Sequence, residues 1–258
     1  FQKAVSCYEK AVQINPNFVD AYNNLGAVYF ELGEHQRAIS CYKKVIQIEP
    51  NNLTSHWLSM NTFPIIYENL KEIDRYRKRF EDGTKKINHL LDTQSQYTKK
   101  QIVDAMKSST NFYLSYQGRN DINLQQKYAN LIERLTEKIY PQFHQERIMN
   151  KSIKFIKIGF VSSFFKNHTI SILFKNWIIK LNRNFFNIFV YYIGNKFDKI
   201  TSQIKESSND FFNHTDIDQL ISRISKDKLD ILVYLDIGMD PMTQILASLR
   251  LASIQCTT

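Results

Sequence analysis

The sequence predicts two classes of structure in succession: an α segment built of helical repeats, then an α/β segment with a partial parallel sheet. Three observations carry this. A segment near the N-terminus recurs at a fixed offset, apolar residues then follow helical spacing as far as Ile139, and from 153 onward β-rich runs alternate with amphipathic ones. With 258 residues, 43% hydrophobic and 23% charged, the chain can bury one large core or two smaller ones. Lys180 and Arg183 interrupt the most apolar stretch. No run reaches the roughly 18 residues of a membrane span, so no membrane association is expected. The net charge of +9 is spread along the chain instead of forming one basic stripe, which argues against a nucleic-acid partner. Cys7, Cys41 and Cys256 are odd in number and lack CxxC spacing, and read as reduced thiols of a cytoplasmic protein. The chain opens at Phe1 without Met or a signal-like segment, so the natural start is expected further upstream.

The repeat is read from Ser6-Cys7-Tyr8 through Ile14-Asn15-Pro16-Asn17, which returns as Ser40-Cys41-Tyr42 through Ile48-Glu49-Pro50-Asn51. That offset, about 34 residues, is the tetratricopeptide period. In the intact copy, 19–52, Tyr22, Leu25, Gly26, Tyr29, Ala38, Tyr42 and Pro50 occupy the motif positions. Gly26 and Ala38 are small where two helices cross, the large residues seal neighbouring repeats, Gly33 makes the turn and Pro50 ends the second helix. The period fades after Asn52. His56-Trp57-Leu58 starts like a further pair, but Ser59 and Pro64 break the pattern. A charged helix over 68–91, a short aromatic segment over 110–118 and an amphipathic helix over 122–139 follow, with polar, exposed stretches expected over 88–100 and 145–151. The expected domains are therefore repeats over 1–66, a helical connector over 67–150, and the α/β part over 151–258.

From 153 the pattern changes. Runs 153–162, 185–193, 229–235 and 253–257 read as strands, and 170–181, 198–208, 216–226 and 242–249 as helices between them. A parallel sheet of four strands with helices on both faces follows, its apolar strand 229–235 expected to be exposed near an edge. Neither a GxGxxG nor a Walker loop nor GxSxG nor HExxH is present, which excludes the usual dehydrogenase, P-loop, hydrolase and zincin signatures and leaves no expected metal or cofactor. His168 lies just past the first strand, where open α/β sheets place ligands. Imidazole exchanges protons near neutral pH, so it suits a hydroxyl proton or a phosphate. The alternative is that His168 or Asn167 caps the helix that follows. Asp236-Ile237-Gly238-Met239-Asp240-Pro241 follows the third strand and faces the same crevice, or is an ordinary strand-to-helix turn.

The order of tetratricopeptide repeats, helical connector, Ile158-Gly159-Phe160-Val161-Ser162 with His168, and Asp236-Ile237-Gly238-Met239 resembles the protein O-GlcNAc transferase (SPINDLY-like) family, glycosyltransferase family 41, and the connector runs 63–67, 77–80 and 110–114 resemble its bacterial branch. The closing run 249–258 is similar to the segment before that family's Gly-Pro loop. The resemblance implies a GT-B glycosyltransferase with Rossmann-like domains, inverting and metal-independent. It would move a sugar from a UDP-sugar, the donor substrate, to Ser or Thr of acceptor proteins or peptides guided by the repeats. His168 matches the histidine of the family's first catalytic loop, a candidate base alongside the substrate phosphate, and Asn167, Asp236, Gly238 and Met239 match the substrate side. Phe164 and Ser253 stand where the family often has Asp and Pro. The donor-binding domain is expected beyond Thr258, so residues 1–258 alone are expected not to transfer sugar. The rivals are an inactive repeat scaffold and an O-fucosyltransferase on the same fold.

Overall fold

The computed structural model describes residues 1–93, 97–145 and 155–258. The chain divides into two compact units, Phe1–Leu135 and Thr136–Thr258.

In the first unit the repeat appears as α1 (Gln2–Ile14), α2 (Val19–Glu31) and α3 (His35–Ile48). Gly26 is required by contact: a Cβ there would stand 2.5 Å from Tyr42 Cε1. Gly33 turns the chain at φ +76°, a conformation that costs glycine little. Leu25, Tyr29, Ala38, Cys41 and Tyr42 form the core between these helices, with Val5 of α1. Burial pushes the Cys41 thiol up to about 11, so it packs and does not react. Next, α4 (Leu53–Asn61) is capped by the Asn52 side chain, which accepts from Ser55 N–H at 3.0 Å. It packs against α3, α5 (Leu70–Thr93) and α6 (Lys99–Ser108). Trp57 is fully buried, donates Nε1–H to the Ser109 carbonyl at 2.9 Å, and lies 5.5 Å from the Tyr128 ring of α7 (Ile122–Ile139).

The stretch over 88–100, expected to be polar and exposed, is largely exposed among its described residues, with Leu90 buried. Residues 88–93 continue α5, and 99–100 open α6, with 94–96 outside the described residues. Helix α6 starts at a capping box: Thr98 Oγ1 accepts from Gln101 N–H, and Gln101 Oε1 accepts from Thr98 N–H at 2.9 Å. Of the stretch expected over 145–151, all but Gln145 lies outside the described residues.

The second unit is a parallel sheet of β1 (Ile156–Ser162), β2 (Phe186–Tyr192), β3 (Asp210–Asn213), β4 (Ile231–Tyr234) and β5 (Ile254–Thr257). Its order is β3-β2-β1-β4-β5. Five strands replace the expected four, because β3 has only four residues, DFFN, all half-buried, and no hydrophobic alternation long enough to register. Strand β4 is interior, paired with β1 on one side and the edge strand β5 on the other, and Leu232, Val233 and Tyr234 are buried, so the apolar strand is covered instead of exposed. Residues 153–154 of the expected first strand lie outside the described residues.

Helices α8 (Thr169–Ile179), α9 (Lys199–Glu206), α10 (Ile217–Asp227) and α11 (Pro241–Ala247) connect the strands, α8 packing on α9 and α10 on α11. Right-handed crossovers running outward from β1 in both directions place these two pairs on opposite faces. Ile158, Phe160, Ile188, Val190 and Tyr192 alternate onto the face that buries Ile178 and Ile204. On the other face Gly159 admits Leu229 and Leu232, whose methyls would lie within 3 Å of a Cβ there. The chain reverses direction of strand addition between β1 and β4, which pair Val161 with Tyr234. An open sheet leaves its crevice beyond the carboxyl ends at such a point.

Candidate active site

Two loops flank this switch point. The first, 163–168, leaves β1, and the second, 235–240, leaves β4. They are tied by Asp236, only 3% exposed. Its Oδ2 accepts from Ser163 N–H at 2.9 Å and from Ser162 Oγ–H at 3.3 Å, while Oδ1 is buried with no hydrogen-bond partner. Burial is the main reason the carboxyl is pushed up to about 7; the neighbouring Asp240 adds to the rise, and the Ser163 amide opposes it.

His168 is the N-cap of α8, its Nδ1 accepting from Ile170 N–H at 3.3 Å. Its ring stacks on Phe164 with centroids 4.2 Å apart and an interplanar angle of 18°. A neutral imidazole whose Nδ1 accepts carries its proton on Nε2, so the capped ring presents a donor. It serves as an acceptor at Nδ1 only when the cap bond is released. Asn167 is exposed, and its N–H donates to Asp198 Oδ2 at 2.5 Å. That bond is the largest cause holding the Asp198 carboxyl below its usual range. Asp198 also caps α9, accepting from Ile200 N–H and Thr201 N–H.

On the second loop Gly238 sits at φ +87°, with nothing within 4 Å of a Cβ built on it, so the position is both left-handed and open. Met239 is half-buried and its N–H donates to the Asp236 carbonyl at 3.1 Å. Asp240 caps α11 through Met242 N–H and Thr243 N–H, and Pro241 takes the first helical position. Both loops make helix caps, and both leave the carboxyl ends of the strands that flank the switch point.

The structure gathers His168 and Asn167 on one side of the switch point and Asp236, Gly238 and Met239 on the other. Ser162 and Ser163, which connect the sides, carry no sequence signal beyond ending an apolar strand. Asp198 carries only that of a helix start. Among the described residues no three His, Cys, Asp or Glu side chains converge as a metal would require. No helix among them is long and apolar enough to cross a membrane.

A helical-repeat unit followed by a parallel five-stranded α/β unit whose strand order reverses at β1 defines a repeat-bearing protein with a Rossmann-like unit. Residues 76–257 match Glycosyl transferase family 41, over two thirds of the chain, and the chain belongs to that family. Residues 19–52 match the tetratricopeptide repeat and 1–33 a TPR repeat pattern. Among solved structures, a mutant O-GlcNAc transferase of Thermobaculum terrenum shares the fold with a TM-score of 0.60 at 16% identity, over 98% of this chain and 46% of that one. The chain thus spans about half the length of that relative. Compared with curated proteins, it matches none.

Proposed function

We propose that this chain is the repeat-bearing, acceptor-side part of a protein O-glycosyltransferase. The whole transferase moves N-acetylglucosamine from UDP-N-acetylglucosamine to Ser or Thr hydroxyls of acceptor proteins, with inversion, without a metal, in the cytoplasm, and residues 1–258 alone do not. Membership of a glycosyltransferase family supports sugar transfer, and the shared fold of a protein named O-GlcNAc transferase supports the choice of sugar. One observation supports the site: His168, the N-cap of α8, ends the loop that leaves the carboxyl end of β1 beside the switch point.

In such a reaction the acceptor oxygen bonds to the anomeric carbon as the bond from that carbon to the diphosphate breaks. The hydroxyl proton passes to a base and UDP leaves. His168, with its proton on Nε2, donates to an oxygen of donor or acceptor, and it takes the hydroxyl proton only after releasing its cap. Asn167, Gly238 and Met239 line the substrate side, where Gly238 lets the backbone approach closely. Asp236 is covered and contributes from behind the loops. The repeats hold extended acceptor segments in the groove that stacked helix pairs form.

The test is turnover of UDP-N-acetylglucosamine and GDP-fucose on acceptor peptides by the polypeptide that contains this chain, with His168→Asn and His168→Ala beside it. Asparagine keeps the cap, so His168→Asn should remain as stable as the parent while turnover falls about a hundredfold, within the range of acid–base contributions. Turnover near the parent level in a folded His168→Asn would return His168 to capping alone. Absence of transfer from either nucleotide sugar would favour the scaffold, and selective use of GDP-fucose the rival sugar.

A further inference from the structure

We propose that Asp236 is a positioning residue: its carboxyl latches the end of β1 to the end of β4 and thereby sets where the His168 ring stands. The inference rests on the functional reading above. The latch is a continuous run of contacts. Asp236 Oδ2 holds Ser163 N–H at 2.9 Å and Ser162 Oγ–H at 3.3 Å. Ser162 Oγ in turn accepts from Phe164 N–H at 2.9 Å, and the Phe164 ring lies against His168 at 4.2 Å. The Phe164 carbonyl accepts from Ser171 Oγ–H of α8 at 2.7 Å, fixing the same residue from the helix side. The far part of the loop is held separately, by Asp198 on Asn167 N–H and by Thr201 Oγ–H on the Phe165 carbonyl at 2.6 Å. Release of Asp236 therefore frees the Ser163 amide and the Ser162 hydroxyl that receives Phe164 N–H, while the Ser162 backbone stays paired with β2 and 165–167 stay anchored.

Packing alone does not account for the residue. An aspartate only 3% exposed, with one carboxyl oxygen unpartnered, is costly to bury, and an apolar side chain would avoid that cost. Nor does it touch substrate in this conformation, since both oxygens lie within the fold. The group that raises its proton affinity electrostatically is Asp240, on its own loop. Ser162 at the end of β1, Ser163 of the loop after it and Thr243 from α11 face Asp236 as neutral hydroxyls and an amide.

The experiment compares Asp236→Ala and Asp236→Asn, reading the His168 imidazole resonances, hydrogen exchange at the Phe164 amide, and kcat and KM in the polypeptide that contains this chain. Asp236→Ala should speed Phe164 exchange about tenfold, shift the His168 resonances, and lower kcat about tenfold with donor KM within about twofold. Asn keeps an acceptor oxygen and should restore exchange, resonances and most of kcat. Asp236→Ala with parental His168 resonances and kcat overturns the proposal. So does a folded Asp236→Asn with parental Phe164 exchange but the low kcat of Asp236→Ala, because the charge and not the latch would then be at work. If the parent transfers no sugar, the functional reading fails by itself, and resonances and exchange still decide the latch.

Discussion

The Asp236 carboxyl, pushed up to about 7, holds a proton in the folded state that the unfolded chain has already lost above its ordinary range. The folded state therefore binds more protons between roughly pH 4 and pH 7, and stability falls as pH rises through that window. Held up to about 7, the carboxyl costs the fold about 4 kcal/mol, fully felt above pH 7. Asp236→Asn should remove this dependence: stabilising by about that amount at pH 8 and nearly neutral at pH 4.5. Denaturant unfolding at the two pH values checks it, and a variant no more stable than the parent at pH 8 would contradict the burial argument. The position of His168, past β1 and at the start of α8, was legible because its place after an apolar strand and before a helix is a matter of local order. The Ser162–Asp236 link was not, since the partners are more than seventy residues apart and nothing in a serine pair announces a carboxylate across the sheet.

Elements were readable where they were long or where a repeat fixed their register. Helices α2 and α3 follow from the motif because Gly26 and Tyr42 must meet, and a methyl at 26 would strike the Tyr42 ring 2.5 Å away. Gly26→Ala should gain helix propensity and still lose stability overall, by roughly 1–3 kcal/mol of overpacking. A thermal scan showing a stabilised Gly26→Ala would mean that the ring moves aside freely. Helix α6 and strand β3 were harder to see for opposite reasons. The first hides Ile102, Ala105 and Met106 within a lysine- and glutamine-rich stretch, although Thr98 and Gln101 do form its capping box. The second is defined by pairing with β2 (Phe189 with Asp210 through Tyr192 with Asn213) more than by its own residues.

Over the whole molecule, each unit has its own core and its own tryptophan: Trp57 is fully buried in the first, and Trp177 lies half-exposed on α8 in the second. Their proton linkages have opposite signs. In the first unit burial lowers His35 and His56 from the usual imidazole range. The unfolded chain then binds more protons below the ordinary imidazole pKa of about 6.5, so stability rises with pH through that window and is lost as pH falls below it. In the second unit Asp236 is raised, and stability grows as pH falls from 7. Lowering the pH from 7.5 to 5.5 should therefore lower the unfolding midpoint of the first unit and raise that of the second. Trp177→Phe leaves fluorescence reporting the first unit, and Trp57→Phe leaves it reporting the second, a conservative change of ring at a buried site. Midpoints that move apart with opposite sign are expected, and Asp236→Asn should abolish the rise without touching the fall. Midpoints that move together in both variants would show one cooperative unit, in which the buried histidines and Asp236 draw on the same unfolding equilibrium.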